Sequence, residues 1–453
     1  MKNSWLINRV IEYGSQTAIV HNSEAYTYAD VFALMQKFKI DLVDNGVHER
    51  DVIMVLSDYS LASIALLLAL YENNNIIVPV TTSIVTEVDA RIEESYCDKV
   101  ISIIGSDLHI SDRKSEGKHE LIITLQKEGC SGLILFSSGS TGKPKAMVHN
   151  FDNLVNHYQA KKAKQINMIL FLMFDHIGGL NTLLNILAMG ATMIIPSSRD
   201  AEHICELVQD YNIRVLPASP TFLNLILMSE AYKKYDLSSL RMITYGTESM
   251  PDSLLLSLKK VFPKVKLLQT FGTSETGIAN TSSKSSDSTY MKIDDPDLQY
   301  KIVEGELWLK STTQVMGYLN ASMDSFTNDG WFKTGDLVED TGDGYIKITG
   351  RSKEVINVGG EKVLPNEVES AILSIPEIKD VLVYGEKSAI TGSSVVCDVV
   401  LNFELSSREV KKIIRAYCKS ILDMYKIPTK VNVVDALNVS ERFKKIRKKD
   451  KLY

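Results

Sequence analysis

Short apolar runs and helical stripes alternate along the first half of this chain. Asp51-Val52-Ile53-Met54-Val55-Leu56, Ile76-Ile77-Val78-Pro79-Val80 and Gly132-Leu133-Ile134-Leu135-Phe136 are unbroken and rich in branched residues, the pattern of strands buried on both faces. Between them, Thr27 can cap a helix that presents Val31, Leu34, Met35, Phe38 and Leu42 on one side, and a second helix is expected around residues 64–70. Strand alternating with helix predicts an α/β fold with a mostly parallel sheet covered on both faces. Further on, Ile169-Leu170-Phe171-Leu172-Met173-Phe174 reads as a strand, the segment from Arg241 to Pro251 as a strand, a glycine turn and a proline-started helix, and the segment from Lys266 to Gly277 repeats that logic, ending in hydroxyls around one carboxylate. Gly305-Glu306-Leu307-Trp308-Leu309-Lys310 alternates as a half-buried strand does, and residues 381–384 and 395–401 are also strand-like. Residues 106–119 are polar enough to be a surface loop, and 281–297 are a polar stretch.

Composition narrows the picture. With 453 residues, 45% hydrophobic and 23% charged, the chain has material for a large core and more than one domain. A net charge of -6 argues against a nucleic-acid partner. Cys97, Cys130, Cys205, Cys397 and Cys418 lack CxxC spacing, so neither a disulfide framework nor a zinc site is indicated, and a reducing, cytoplasmic location is the expectation. The polar start has no apolar signal core, and the longest apolar run, residues 61–71, is far below the roughly 20 residues of a membrane span.

The candidate chemistry centres on Ser137-Ser138-Gly139-Ser140-Thr141-Gly142-Lys143-Pro144-Lys145, directly after a buried strand. Its glycines let backbone approach a polyphosphate, its hydroxyls donate, and Lys143 and Lys145 meet distributed negative charge. A flexible connector has a similar composition. The loop is not a Walker motif, because only Ser140 and Thr141 separate its glycines and Pro144 follows Lys143.

This loop resembles the signature of the adenylate-forming superfamily: acyl-coenzyme A synthetases, peptide-synthetase adenylation domains and luciferase. Other segments agree with it, in family order, from Tyr26 to Arg447. The resemblance implies a large amino-terminal ATP- and acid-binding domain over 1–350, a hinge at 351–353 about Lys353, and a small mobile α+β domain over 354–453. Phe271-Gly272-Thr273-Ser274-Glu275 is similar to the family's aromatic-Gly-x-Thr-Glu phrase, which implies adenine contacts for Phe271, Gly272 and Ser274 and a Mg²⁺ ligand in Glu275. Gly246, Thr247 and Glu248 resemble the adenine-contacting turn, and Asp336 in Trp331-Phe332-Lys333-Thr334-Gly335-Asp336 resembles the ribose-binding aspartate, with Arg351 reaching the same ribose.

The resemblance further implies that His176 lies beside the substrate carboxylate, although Asp175 leaves open the ammonium-binding role seen in peptide-synthetase domains. Gly359 and Gly360 would line a thiol tunnel after the small domain rotates. Ser440-Glu441-Arg442-Phe443-Lys444-Lys445-Ile446-Arg447 is similar to the family's final motif, with Phe443 where glycine is usual; Lys444 then bridges carboxylate and α-phosphate, and Lys445 is the alternative register. The acid pocket is expected near His176, Ser219-Pro220-Thr221-Phe222, Gly246 and Gly277-Ile278-Ala279.

The implied activity is ATP-dependent conversion of a carboxylic acid to an acyl-adenylate, then transfer to coenzyme A. A carrier protein's phosphopantetheine, supplied in trans because no carrier domain follows the last motif, is the alternative acceptor. A nucleotide-binding relative without turnover is a third reading, motivated by Phe443 and by Ala146 in place of glycine.

Overall fold

The computed structural model describes residues 4–82, 84–113, 117–137 and 144–447. The predicted residues Ser138, Gly139, Ser140, Thr141, Gly142 and Lys143 lie outside the described residues.

Two seven-stranded sheets and a layer of helices make the scaffold. In the first sheet, Lys266–Gln269, Met242–Tyr245, Val215–Ala218, Asn167–Ile169, Thr192–Ile195 and Thr17–His21 run parallel in that spatial order, and Glu24–Thr27 closes the edge antiparallel. The second holds Ile76–Val80, Val52–Leu56 and Lys99–Ile104 in parallel with Gly132–Phe136, flanked by antiparallel strands. Helices Tyr28–Asp44, Leu61–Glu72 and Ile177–Met189 contribute to one core cluster with residues of both sheets. Leu61–Glu72 is apolar all round and buried almost throughout, as such a sequence requires. Thr27 caps the Tyr28–Asp44 helix in a reciprocal capping box with Asp30, the signal its sequence carries.

A six-stranded sheet built from Thr281–Ser283, Met291–Ile293, Ile346–Arg351, Phe332–Asp340, Glu306–Ser311 and Leu298–Val303 follows. After the one-turn 3-10 helix Ser352–Glu354, the chain enters a five-stranded sheet, Ile356–Val358 to Lys430–Val433, backed by helices Pro365–Ile372 and Ser407–Ile421 around a separate core of Ile356, Val381, Val383, Cys397, Val399, Val410 and Ile414.

The structure departs from the sequence reading at three places and adds to it at a fourth. Residues Asp107–Asp112, expected in a loop, form an edge strand against Lys99–Ile104; only Leu108 and Ile110 face inward, so the apolar signal is diluted by exposed polar neighbours. The run 169–174 leaves the sheet after Ile169: Leu170 still donates its N–H to the Ile194 carbonyl at 2.9 Å, and Leu170, Phe171 and Phe174 are buried by core packing, whereas Leu172 and Met173 are half-buried. The 281–297 stretch contributes two short strands. Thr334-Gly335-Asp336, which its composition suggests as a turn, is a bulge within a strand, with Gly335 at φ 74°.

Candidate active site

Three parallel strands set the floor of the site. Ala218, Tyr245 and Gln269 are in register, so the segments beginning at Ser219, Gly246 and Thr270 leave the sheet together at its carboxyl edge, where open α/β sheets collect ligands. A Cβ on Gly246 would sit 2.6 Å from Thr270 Oγ1 and 2.8 Å from the Thr270 carbonyl, so the close approach of these two exits requires glycine. Thr247 follows at φ 73°, a region costing a β-branched residue about 1–3 kcal/mol. Its hydroxyl is buried and without a hydrogen-bond partner among the described residues, in a turn that borders the cleft described next. Glu248 accepts from the Thr221 N–H at 2.7 Å, and burial pushes its carboxyl above the usual range.

These turns, Phe271 and Gly272 border a cleft of about 250 Å³ whose opposite wall carries Asp336 and Arg351. The antiparallel register puts Asp336 directly across from Arg351, whose Nε donates to Asp336 Oδ1 at 3.0 Å. Asp336 is 5% exposed, and burial outweighs Arg351 in raising its carboxyl. A buried carboxylate with one oxygen held and the bulge fixing its backbone is a preorganised acceptor for a diol.

Glu275 and Ser274 occupy the turn of the Phe271–Thr273 and Gly277–Ala279 hairpin. Tyr318 donates its hydroxyl to Glu275 Oε1 at 3.1 Å, and Lys145 Nζ lies 4.6 Å from the centre of the Tyr318 ring. Ser137 and Lys145 close the base of the phosphate loop, the Ser137 N–H donating to the Lys145 carbonyl at 3.0 Å. Asn320 clamps the same base through the Ala146 N–H and the Pro144 carbonyl. Tyr318 and Asn320 were given no role from sequence; their spacing within Met316-Gly317-Tyr318-Leu319-Asn320 was the available signal.

His176 caps the Ile177–Met189 helix, its Nδ1 accepting from the Gly178 N–H at 3.0 Å. Burial, with Lys444 and Arg442 adding repulsion, holds it well below the ordinary imidazole range, so the ring is neutral and carries its proton on Nε2. Asp175 Oδ2 lies 3.7 Å from Arg91 and 3.4 Å from Arg442, while its Oδ1 is buried without a hydrogen-bond partner among the described residues.

The tail completes the site. Residues 439–445 make a tight hairpin, Val439 bridging Lys445, with Phe443 at φ 51° at its corner. Lys444 lines the cleft; burial, then Arg351, lowers its amine to about 8 against the pull of Glu248. Lys445 also borders the cleft, but its amine is engaged, donating to Asp380 at 2.6 Å and to the Val381 carbonyl at 2.9 Å. Arg447 pairs with Glu369 and Glu354 inside the small domain. Lys353 is exposed in the turn between the two last sheets, and Gly359 and Gly360 form an exposed hairpin turn outside the cleft in this arrangement. Of the expected acid-pocket residues, Pro220, Thr221 and Gly246 reach the cleft, whereas Phe222 and Ala279 are core.

A large α/β body and a small domain that inserts a lysine-bearing tail into the cleft between them define the class of adenylate-forming proteins. The chain belongs to the AMP-binding enzyme family: that family's model matches residues 8–319, and the AMP-binding enzyme C-terminal domain matches 367–444. Among curated relatives, a 2-succinylbenzoate–CoA ligase of Bacillus licheniformis is 29% identical over 67% of this chain and 66% of its own length. A probable CoA ligase of Humulus lupulus is 30% identical over 65% of this chain, and the chain spans 59% of that relative. A 4-coumarate:CoA ligase of Petunia hybrida is 25% identical over 98% and 92%. The fold matches that of o-succinylbenzoate CoA synthetase from Bacillus subtilis in complex with its acyl-adenylate intermediate, with a TM-score of 0.78 at 22% identity over 97% of this chain and 96% of that one.

Proposed function

We propose that this protein is an AMP-forming acid–thiol ligase: it joins a carboxylic acid to the α-phosphate of ATP and passes the acyl group to coenzyme A. The observation that carries the reading is Lys444, which borders both the cleft with Asp336 and Arg351 and the adjoining recess with His176. The named relatives are CoA ligases, which favours coenzyme A over a carrier protein's phosphopantetheine.

In this reading Phe271 and the Gly246-Thr247-Glu248 turn receive adenine, and Asp336 with Arg351 holds the ribose. Ser137, Lys145 and residues 138–143 take the β- and γ-phosphates. Glu275, one carboxylate with an oxygen oriented by Tyr318 and no ion pair among the described residues, suits Mg²⁺, which prefers few protein carboxylates plus phosphate oxygens. Glu275 would hold the ion, which would supply charge neutralisation for the phosphates. The His176 Nε2–H orients the acid's carboxylate, whose oxygen attacks the α-phosphorus as the bond to pyrophosphate breaks. Lys444 spans both groups and stabilises the negative charge they share. The thiol then attacks the acyl carbon, and AMP departs. Lys353 is proposed as the hinge, and Gly359 and Gly360 as the thiol tunnel once the small domain has turned.

Incubation with ATP, Mg²⁺, coenzyme A and a panel of aryl and alkyl acids should yield AMP and acyl-CoA in equal amounts, read by mass spectrometry. Adenylate and AMP without acyl-CoA, but with acylation of an added carrier protein, would overturn the choice of acceptor.

The Lys444 titration gives a pH signature. The cation is present below about 8 and lost above it, so kcat/KM for adenylation falls as pH rises through that value. Bound ATP adds negative charge and raises the amine, so the limb in kcat lies at higher pH. A profile flat to pH 10 in both parameters would remove Lys444 from the chemistry.

A further inference from the structure

We infer that Phe443 is a positioning residue that seats Lys444 in the cleft, by packing its ring against a pair of aromatic side chains of the large domain. The inference builds on the adenylation reading, and its first test does not depend on turnover.

The corner of the 439–445 hairpin is a glycine position by geometry. The Phe443 N–H donates to the Ser440 carbonyl at 2.9 Å, the Ser440 N–H to the Lys444 carbonyl at 2.9 Å, and Phe443 stands left-handed at φ 51°. Glycine would adopt this conformation freely, and phenylalanine persists there only where its surroundings over-determine it. Those surroundings are in the other domain. The Phe443 ring centre lies 5.2 Å from Phe171 and 5.1 Å from Phe222, which are themselves 4.2 Å apart. Its carbonyl accepts from Ser219 Oγ at 2.8 Å, the same hydroxyl that caps the Pro220–Ser229 helix.

On the preceding side, Arg442 meets Asp175, a carboxylate already braced by Arg91. Lys444 itself makes no ion pair among the described residues, although its amine lies within the electrostatic reach of Glu248 and Asp336. Its place is therefore set by the two residues before it. Seating the tail leaves a recess of about 10 Å³ bordered by His176, Thr247, Phe443 and Lys444, room for about one water.

The first test is a trypsin pulse on the intact protein, following cleavage after Lys444 in wild type, F443G and F443Y. A seated tail is shielded, and cleavage follows the population in which it is free. F443G should be cut roughly tenfold faster and F443Y near the wild-type rate, at unchanged Tm of the large domain. Equal cleavage rates for wild type and F443G would overturn the inference, whatever the enzyme's activity.

The second test is single-turnover adenylate formation. F443G should lower the rate with ATP affinity unchanged, F443Y should restore it, and the effect should vanish in a K444A background, because one residue acts through the other. A loss of equal size with and without Lys444 would contradict a positioning role.

Discussion

Alanine at Lys444 lowers acid-dependent ATP–pyrophosphate exchange by about 10²–10³-fold while ATP binding is retained, the loss typical of a group that stabilises charge in the transition state. Alanine at Lys445 does something different. Lys445 is bonded to Asp380, which is 5% exposed, so its removal strands a buried carboxylate and lowers the Tm of the small domain while exchange in the folded protein changes little. For Lys444 the stability effect has the opposite sign. Its folded-state amine is lowered from the ordinary 10.5 to about 8, so its cation is disfavoured by folding. Stability from this group is complete above the unfolded value and declines as pH falls toward the folded value; below about 8, K444A is as stable as wild type or more so. Exchange kinetics and thermal melts on the two variants separate the registers. Loss of exchange in K445A with K444A active would reverse the assignment.

Alanine at Asp336 raises the KM for ATP by roughly 10–100-fold with a smaller change in kcat, since a charge-assisted pair of hydrogen bonds to a ribose is made in ground state and transition state alike. The carboxylate is suited to this because it is buried, held on one oxygen by Arg351 and fixed by the Gly335 bulge, whose N–H donates to Glu306 at 2.8 Å. Asparagine should recover part of the affinity, because it keeps an acceptor but not the charge. A 2′,3′-dideoxy nucleotide should bind wild type and D336A alike. If D336A discriminated against the dideoxy analogue as strongly as wild type does, the ribose would be held elsewhere.

The strands and the strand-end turns were legible because both are local signals. Val52–Leu56 and Ile76–Val80 are apolar without interruption, and Gly246 and Thr270 directly follow strands, whereas the expectation for Asp336 rested on the family phrase alone. Bonds between distant segments were not legible. The Glu248 contact with Thr221, the Arg442 bridge to Asp175 and the insertion of Phe443 beside Phe171 and Phe222 join residues whose proximity depends on the packed whole. Phe443 illustrates the difference. In sequence it is a departure from the family phrase; in the structure the same ring fills a slot in the other domain. The run 169–174 misled for a related reason: apolar character reports burial, and the backbone pairing of this run ends with the Leu170 N–H on Ile194.

ATP–pyrophosphate exchange, measured without any thiol across aryl, short-chain, long-chain and amino acids, tests the central claim most directly. The account predicts exchange that requires Mg²⁺ and one class of acid and that collapses in K444A. No exchange with any acid, in a protein that still binds ATP in this cleft, would contradict it and leave a nucleotide-binding relative without turnover.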